Sequence, residues 1–107
     1  MNVPQRWQRS RKAGEKQPAS CRYVGRGTGY GNAYKIAKSL SKEQRKENHA
    51  RAVRMYKMTM DILLNRNPAY YDDLLNYEYI SCFCALDMPC HCDAIIEHLK
   101  ERIKVLA

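Results

Sequence analysis

Four of the five cysteines of this chain, Cys82, Cys84, Cys90 and Cys92, fall within eleven residues, with His91 and Asp93 set among and after them. Such clustering points to metal binding, redox chemistry or a thiol nucleophile. On a strand, Cys82 and Cys84 share one face, because side chains alternate. Cys90 and His91 stand where the last helix of the chain begins, and the unpaired N–H groups and macrodipole of a helix start stabilise anions. A thiol placed there ionises below its free value of about 8.5. Cys90 is thus a candidate thiolate, with His91 beside it as acid, base or ligand. Alternatively, Cys82, Cys84, Cys90 and His91 are four donors of the kinds that zinc takes, although their spacing is not the paired C-x2-C of a zinc knuckle. Plain packing is the third reading, since cysteine is a small apolar residue. His49, mid-helix among charges, and His98, on a helix surface, read as solvent-facing, so a Ser-His-Asp arrangement has little support.

The second stretch with chemical potential is Gly25-Arg26-Gly27-Thr28-Gly29-Tyr30-Gly31-Asn32, directly after a short strand candidate at Cys21–Val24. Alternating glycines let backbone N–H groups approach a phosphate without side-chain obstruction. Arg26 adds a charged fork and Asn32 an amide. No GK[ST] follows and no helix starts at once, so neither the P-loop nor the dinucleotide fingerprint is matched, and a structural turn competes with the phosphate reading.

Charge favours an anionic partner. Nineteen Lys and Arg against eleven Asp and Glu give +8. Residues 1–66 hold sixteen basic and four acidic side chains, a net of +12, whereas residues 67–107 hold three and seven, a net of −4. That asymmetry suits nucleic acid, a nucleotide or an acidic protein surface near the N-terminal half. With 45% apolar and 28% charged residues, 107 residues fit one globular domain spanning 1–107. No run of about 20 apolar residues suggests a membrane span, and no secretory signal opens the chain. An odd number of clustered cysteines argues against a disulfide framework. The expectation is a soluble, cytoplasmic protein.

The elements that must position these residues can be read along the chain. Residues 1–20 are polar and basic, with Pro4, Gly14 and Pro18 as breakers, and read as an arm. Ala33–Ile36 is a second short strand candidate. Ser41 with Gln44 forms a capping-box pattern before a long helix that buries Val53, Tyr56, Met60 and Leu63. Met55 and Met58 read as core filler with Met60. Asn67-Pro68 ends that helix and starts another, with Leu74 and Leu75 buried and Asn76 ending it in the left-handed conformation. Tyr79–Cys84 is the strongest strand pattern, and the turn Ala85–Pro89 leads into a helix carrying Ile95, Ile96, Leu99, Ile103 and Leu106 on one face. This order predicts a small Rossmann-like α/β domain, a short and mostly parallel sheet flanked by helices.

The same residues carry a resemblance. Gln8-Arg9-Ser10-Arg11, then Tyr23-Val24-Gly25-Arg26 through Gly31-Asn32, and Cys82-Phe83-Cys84-Ala85-Leu86-Asp87-Met88-Pro89-Cys90-His91-Cys92-Asp93 resemble the motifs of the domain-of-unknown-function family numbered four-three-two-six, small bacteriophage and bacterial proteins. That family shows Q-R-x-R, V-Y-V-G-R-P-x-x-W-G-N-P-F and C-W-C-x-L-D-x-P-C-H-x-D. The resemblance implies that the arm with Arg9 and Arg11 packs near the glycine loop. It also raises Cys82, Cys84, Cys90, His91 and Asp93 together. Cys92 stands where the family has a small residue, which makes it a bystander. Gly27 and Ala33 replace prolines and Tyr30 replaces tryptophan, implying a looser loop.

Together these readings predict a pocket at the C-terminal ends of neighbouring parallel strands that binds a phosphorylated nucleotide or nucleic-acid end. Arg9, Arg11 and Arg26 would neutralise phosphate, and Gly25, Gly27, Thr28, Gly31 and Asn32 would cradle it. Cys90, His91 and Asp93 would orient the base or sugar, or act on it. The alternatives are a phage effector that sequesters a nucleotide or blocks a host protein, and a basic nucleic-acid-binding accessory protein.

Overall fold

A computed structural model describes residues 2–10, 14, 16–36, 38 and 41–107. Its centre is the strand read most strongly from the sequence, Tyr79–Cys82, in which Ile80, Ser81 and Cys82 are buried. Strand Gln5–Gln8 pairs with one edge of it and strand Cys21–Tyr23 with the other, both parallel. Numbered in chain order as β1 (Gln5–Gln8), β2 (Cys21–Tyr23) and β3 (Tyr79–Cys82), the sheet has the order β1-β3-β2. The fold is therefore a small α/β structure with a three-stranded parallel sheet. Parallel pairing follows from the long helical crossover between β2 and β3.

β1 lies within the segment expected to be an arm. Its sequence, Gln-Arg-Trp-Gln, has no alternating apolar pattern and both glutamines are exposed. The strand exists because β3 offers it backbone partners: Gln5 N–H donates to Glu78 O at 2.8 Å, and Arg9 N–H to Cys82 O at 2.7 Å. Ala33–Ile36 forms no strand and is exposed.

Helix α1 spans Lys42–Arg66, and the Ser41 hydroxyl accepts the Gln44 N–H at its start. Its buried residues, His49, Ala52, Tyr56 and Met60, recur at three- and four-residue spacing. His49 was expected in solvent and is 7% exposed, because a distant loop closes over it. Of the methionines expected in the core, Met60 is buried, Met55 is half-buried and Met58 is exposed on the opposite face. Asn67 ends α1 through a bond from its N–H to Leu63 O, and its side-chain oxygen accepts the Ala69 N–H. The expected second helix is a turn followed by one 3-10 segment, Asp72–Asn76, in which Leu74 is buried. Asn76 does not take the left-handed conformation: Ser20 alone does so among the described non-glycine residues.

Helix α2 spans His91–Leu106 and buries Cys92, Ala94, Ile95 and Leu99 beneath its first turns, while Leu106 at its end is exposed. It packs against β1, β3 and α1. Arg102 clamps Asp72 through Nε–Oδ1 and Nη2–Oδ2 bonds of 3.0 and 3.1 Å, tying α2 to the 3-10 segment. Among the described residues no helix is long and apolar enough to cross a membrane.

Candidate functional site

The carboxyl ends of β2 and β3 deliver both motifs to one place. Pairing continues one residue past β2, where Val24 N–H donates to Ser81 O at 2.9 Å. The chain then folds back on itself. Thr28 bonds Gly25 O through its N–H and its hydroxyl, Tyr30 N–H donates to Thr28 Oγ1, and Gly31 N–H donates to Thr28 O. Two glycines are required here. Gly27 has φ +87°, which a proline ring cannot adopt. A Cβ at Gly31 would lie 2.5 Å from the Gly25 carbonyl oxygen. The loop is thus a closed turn, with the amides of Thr28, Tyr30 and Gly31 bonded within it.

Tyrosines fasten this turn to the helices. Tyr56 Oη donates to Tyr30 O at 2.7 Å. Since a carbonyl can only accept, the Tyr71 hydroxyl donates to Tyr56 Oη at 2.9 Å. Burial holds the Tyr56 phenol protonated, far above its ordinary pKa. Tyr70 Oη donates to Gly29 O. Asn32 completes the attachment, its amide nitrogen donating to Ala52 O at 2.9 Å and its oxygen accepting the Tyr34 N–H at 3.0 Å.

Between the turn, α1 and the β3–α2 connection lies a cavity of about 280 Å3. Tyr23, Gly25, Arg26, Asn32 and Tyr34 line one side, His49, Ala52 and Val53 the second, and Cys82, Phe83, Cys84, Pro89, Cys90 and His91 the third. A second, more open hollow of about 290 Å3 shares Arg26 and Asn32 with the first and adds Gly27, Thr28, Gly31 and Lys35. The two hollows therefore meet at Arg26 and Asn32.

At the cavity floor, His91 Nε2 lies 2.7 Å from Val24 O and must donate to it. The neutral ring then carries its lone pair on Nδ1, which faces Cys90 Sγ at 3.5 Å. His49 Nδ1 reaches Pro89 O at 3.3 Å, so a carbonyl from the connection seals the ring into the wall. Burial lowers its pKa, favouring the neutral ring.

The sulfurs form a connected group. Cys82 Sγ lies 2.9 Å from Cys90 Sγ, and the sulfurs of Cys82, Cys90 and Cys92 lie within 4.8 Å of one another. Cys92, expected to be a bystander, is therefore a member of the cluster: it occupies the second position of α2 and is turned inward beneath the helix. Hydrogen bonds among these thiols hold Cys82 below, and Cys84 and Cys90 above, the ordinary thiol range. Cys90, the candidate thiolate, shares its hydrogen bond with Cys82 in this group.

Asp93 stands behind the cavity. Its Oδ2 accepts the Cys90 N–H at 3.1 Å, capping α2, and both of its oxygens take Arg6 Nη1 at 3.1 to 3.2 Å. Arg6, which no sequence signal singled out, also donates from Nη2 to Ala85 O at 2.6 Å. Arg9 lies over the Tyr23 and Phe83 rings, 4.8 and 5.7 Å from their centroids, backing the aromatic wall. Arg11 lies outside the described residues.

The sequence profile of a family described as Domain of unknown function (DUF4326) matches residues 7–101, which include the glycine turn and the whole Cys-His motif. The chain belongs to that family. No curated protein and no solved structure matches it. Within this DUF4326 domain the matched span brings together every residue of the cavity wall, whereas Arg6 stands one residue before it.

Proposed function

We propose that the protein binds a phosphorylated nucleotide or the end of a nucleic-acid chain, using the two adjoining hollows as one bipartite site. The observation that carries this reading is their meeting at Arg26 and Asn32: one hollow is walled by aromatic rings and the other by a glycine turn with Arg26 and Lys35. A nucleotide has that same division into a flat, largely apolar base and an anionic tail. Tyr23, Phe83 and Tyr34 offer ring surfaces to the base, and Arg26 and Lys35 offer charge to the phosphate. The location agrees with the general rule that ligands of open α/β sheets bind outside the carboxyl ends of the strands, as in Rossmann-like folds. Cys90 and His91, both on the cavity wall, would orient the base or sugar or act on it.

Equilibrium binding of nucleoside monophosphates and of the matching nucleosides tests this reading. The phosphorylated ligand should bind more tightly, and Arg26→Ala should weaken it by roughly 10- to 100-fold while flattening its salt dependence. Equal binding of nucleoside and nucleotide, or an affinity unchanged by Arg26→Ala at low and high salt, would rule it out.

A further inference from the structure

We infer that Cys82, Cys90 and Cys92 hold a single zinc ion as three thiolates, at a site that adjoins the cavity through Cys82 and Cys90 and does not depend on what the cavity binds. The three sulfurs come from two rigid elements, the last residue of β3 and the first turn of α2, and all three residues are buried. Their separations run from 2.9 Å for Cys82–Cys90 to at most 4.8 Å, and bracket the spacing of about 3.7 Å that bonds of about 2.3 Å at tetrahedral angles require, so an ion would draw Cys82 and Cys90 slightly apart. Cys84 and His91 lie next to the trio on the cavity side, each offering a donor for a fourth position. The ring of His91 is already oriented as in many metal sites, with one nitrogen held by a backbone carbonyl and the other free to accept.

A second observation points the same way. The Arg6 side chain is only 10% exposed, and its Nε has no hydrogen-bond partner among the described residues. Asp93 pairs with Nη1 from a half-exposed position and Nη2 donates to the Cys84 and Ala85 carbonyls, which leaves Nε to a further acceptor. Zinc with three thiolates has a net charge of −1, which the neighbouring Arg6 guanidinium stabilises. Binding displaces three thiol protons, which leave to solvent, and involves no change of oxidation state.

The test titrates the reduced full-length chain with zinc alone, and with cobalt(II) as a spectroscopic substitute. One ion per chain should bind, with the sulfur-to-cobalt charge-transfer absorption of a tetrahedral thiolate site. Cys92→Ser should lose that absorption and Cys21→Ser should keep it. Because Cys92→Ser removes a core side chain and could unfold the protein, X-ray absorption at the zinc edge of the wild type provides an independent measure, with at least three sulfur neighbours expected at about 2.3 Å. A reduced, folded wild type that takes up neither ion overturns the assignment, whether Cys82 and Cys90 are then found as free thiols or as a disulfide. Fewer than three sulfurs at the edge, or full cobalt absorption in folded Cys92→Ser, overturns it equally.

Discussion

At the scale of single residues, the site depends on side chains whose role is to hold backbone rather than to meet a ligand. Tyr56 is the clearest case, since its hydroxyl joins Tyr30 O and Tyr71 across the turn. Tyr56→Phe should lower stability by about 1–3 kcal/mol, since it strands a carbonyl and a phenol that lose their partner, and thermal or urea unfolding measures this. Asp93 acts similarly, capping α2 while pairing with Arg6. Asp93→Ala should lower stability by about 1–2 kcal/mol through the lost cap, and Asp93→Ser, which can cap without pairing, should recover part of it. Cys90 and His91 are legible from their place at a helix start, whereas Asp93, read from the family motif as a residue that meets the ligand, stands behind the cavity as a cap. Sequence reasoning could not find Arg6 or His49, whose partners lie 79 and 40 residues away and leave no local pattern. Cys92 was missed for another reason: its role depends on which side of α2 faces the sheet, and a comparison with a family motif carries no such information.

Among the elements, the glycine turn is the one most constrained by close approach. Gly31→Ala would drive a methyl group against the Gly25 carbonyl, and backbone on both sides prevents it from yielding. That variant should lose about 1–3 kcal/mol of stability and displace the turn, which unfolding curves and the chemical shifts of Gly25–Asn32 would report. The elements that were legible in the sequence are those with a local signature. β3 carries Tyr79, Ile80 and Cys82 within four residues, α1 opens on Ser41, and the start of α2 has its apolar stripe. β1 has no such signature, because a parallel edge strand needs only backbone partners and its exposed glutamines read as arm. Asn-Pro serves equally to start a helix or to make a turn, and at Asn67–Tyr71 the docking of Tyr70 and Tyr71 on the glycine turn decides for the turn.

Across the whole molecule, two half-buried or buried histidines make stability depend on pH. His98, with its Nε2 buried and unpartnered against Tyr71, and His49 both have pKa values lowered, in each case first by burial. The folded state therefore favours neutral rings, while the unfolded chain takes up protons near pH 6.5. Stability is full above that value and declines as pH falls below it towards the lowered folded-state pKa, because the unfolded state then binds more protons. Melting temperatures measured between pH 8 and about pH 5 should show this decline, and His98→Phe should reduce it. Arg26 and Lys35 line the hollows, and the net charge of +12 over residues 1–66 adds a longer-range attraction for anions that belongs to the molecule as well as to Arg26.

The most direct test of the bipartite site is an NMR titration of the isotope-labelled protein with a nucleoside monophosphate. The amides of Gly25–Asn32 and of Cys82–His91 should shift together along one saturating curve, and the parent nucleoside should perturb mainly the residues of the aromatic cavity. Shifts confined to the exposed basic face of α1 around Arg45, Lys46 and Arg51, or no saturable shift in either motif, would contradict it.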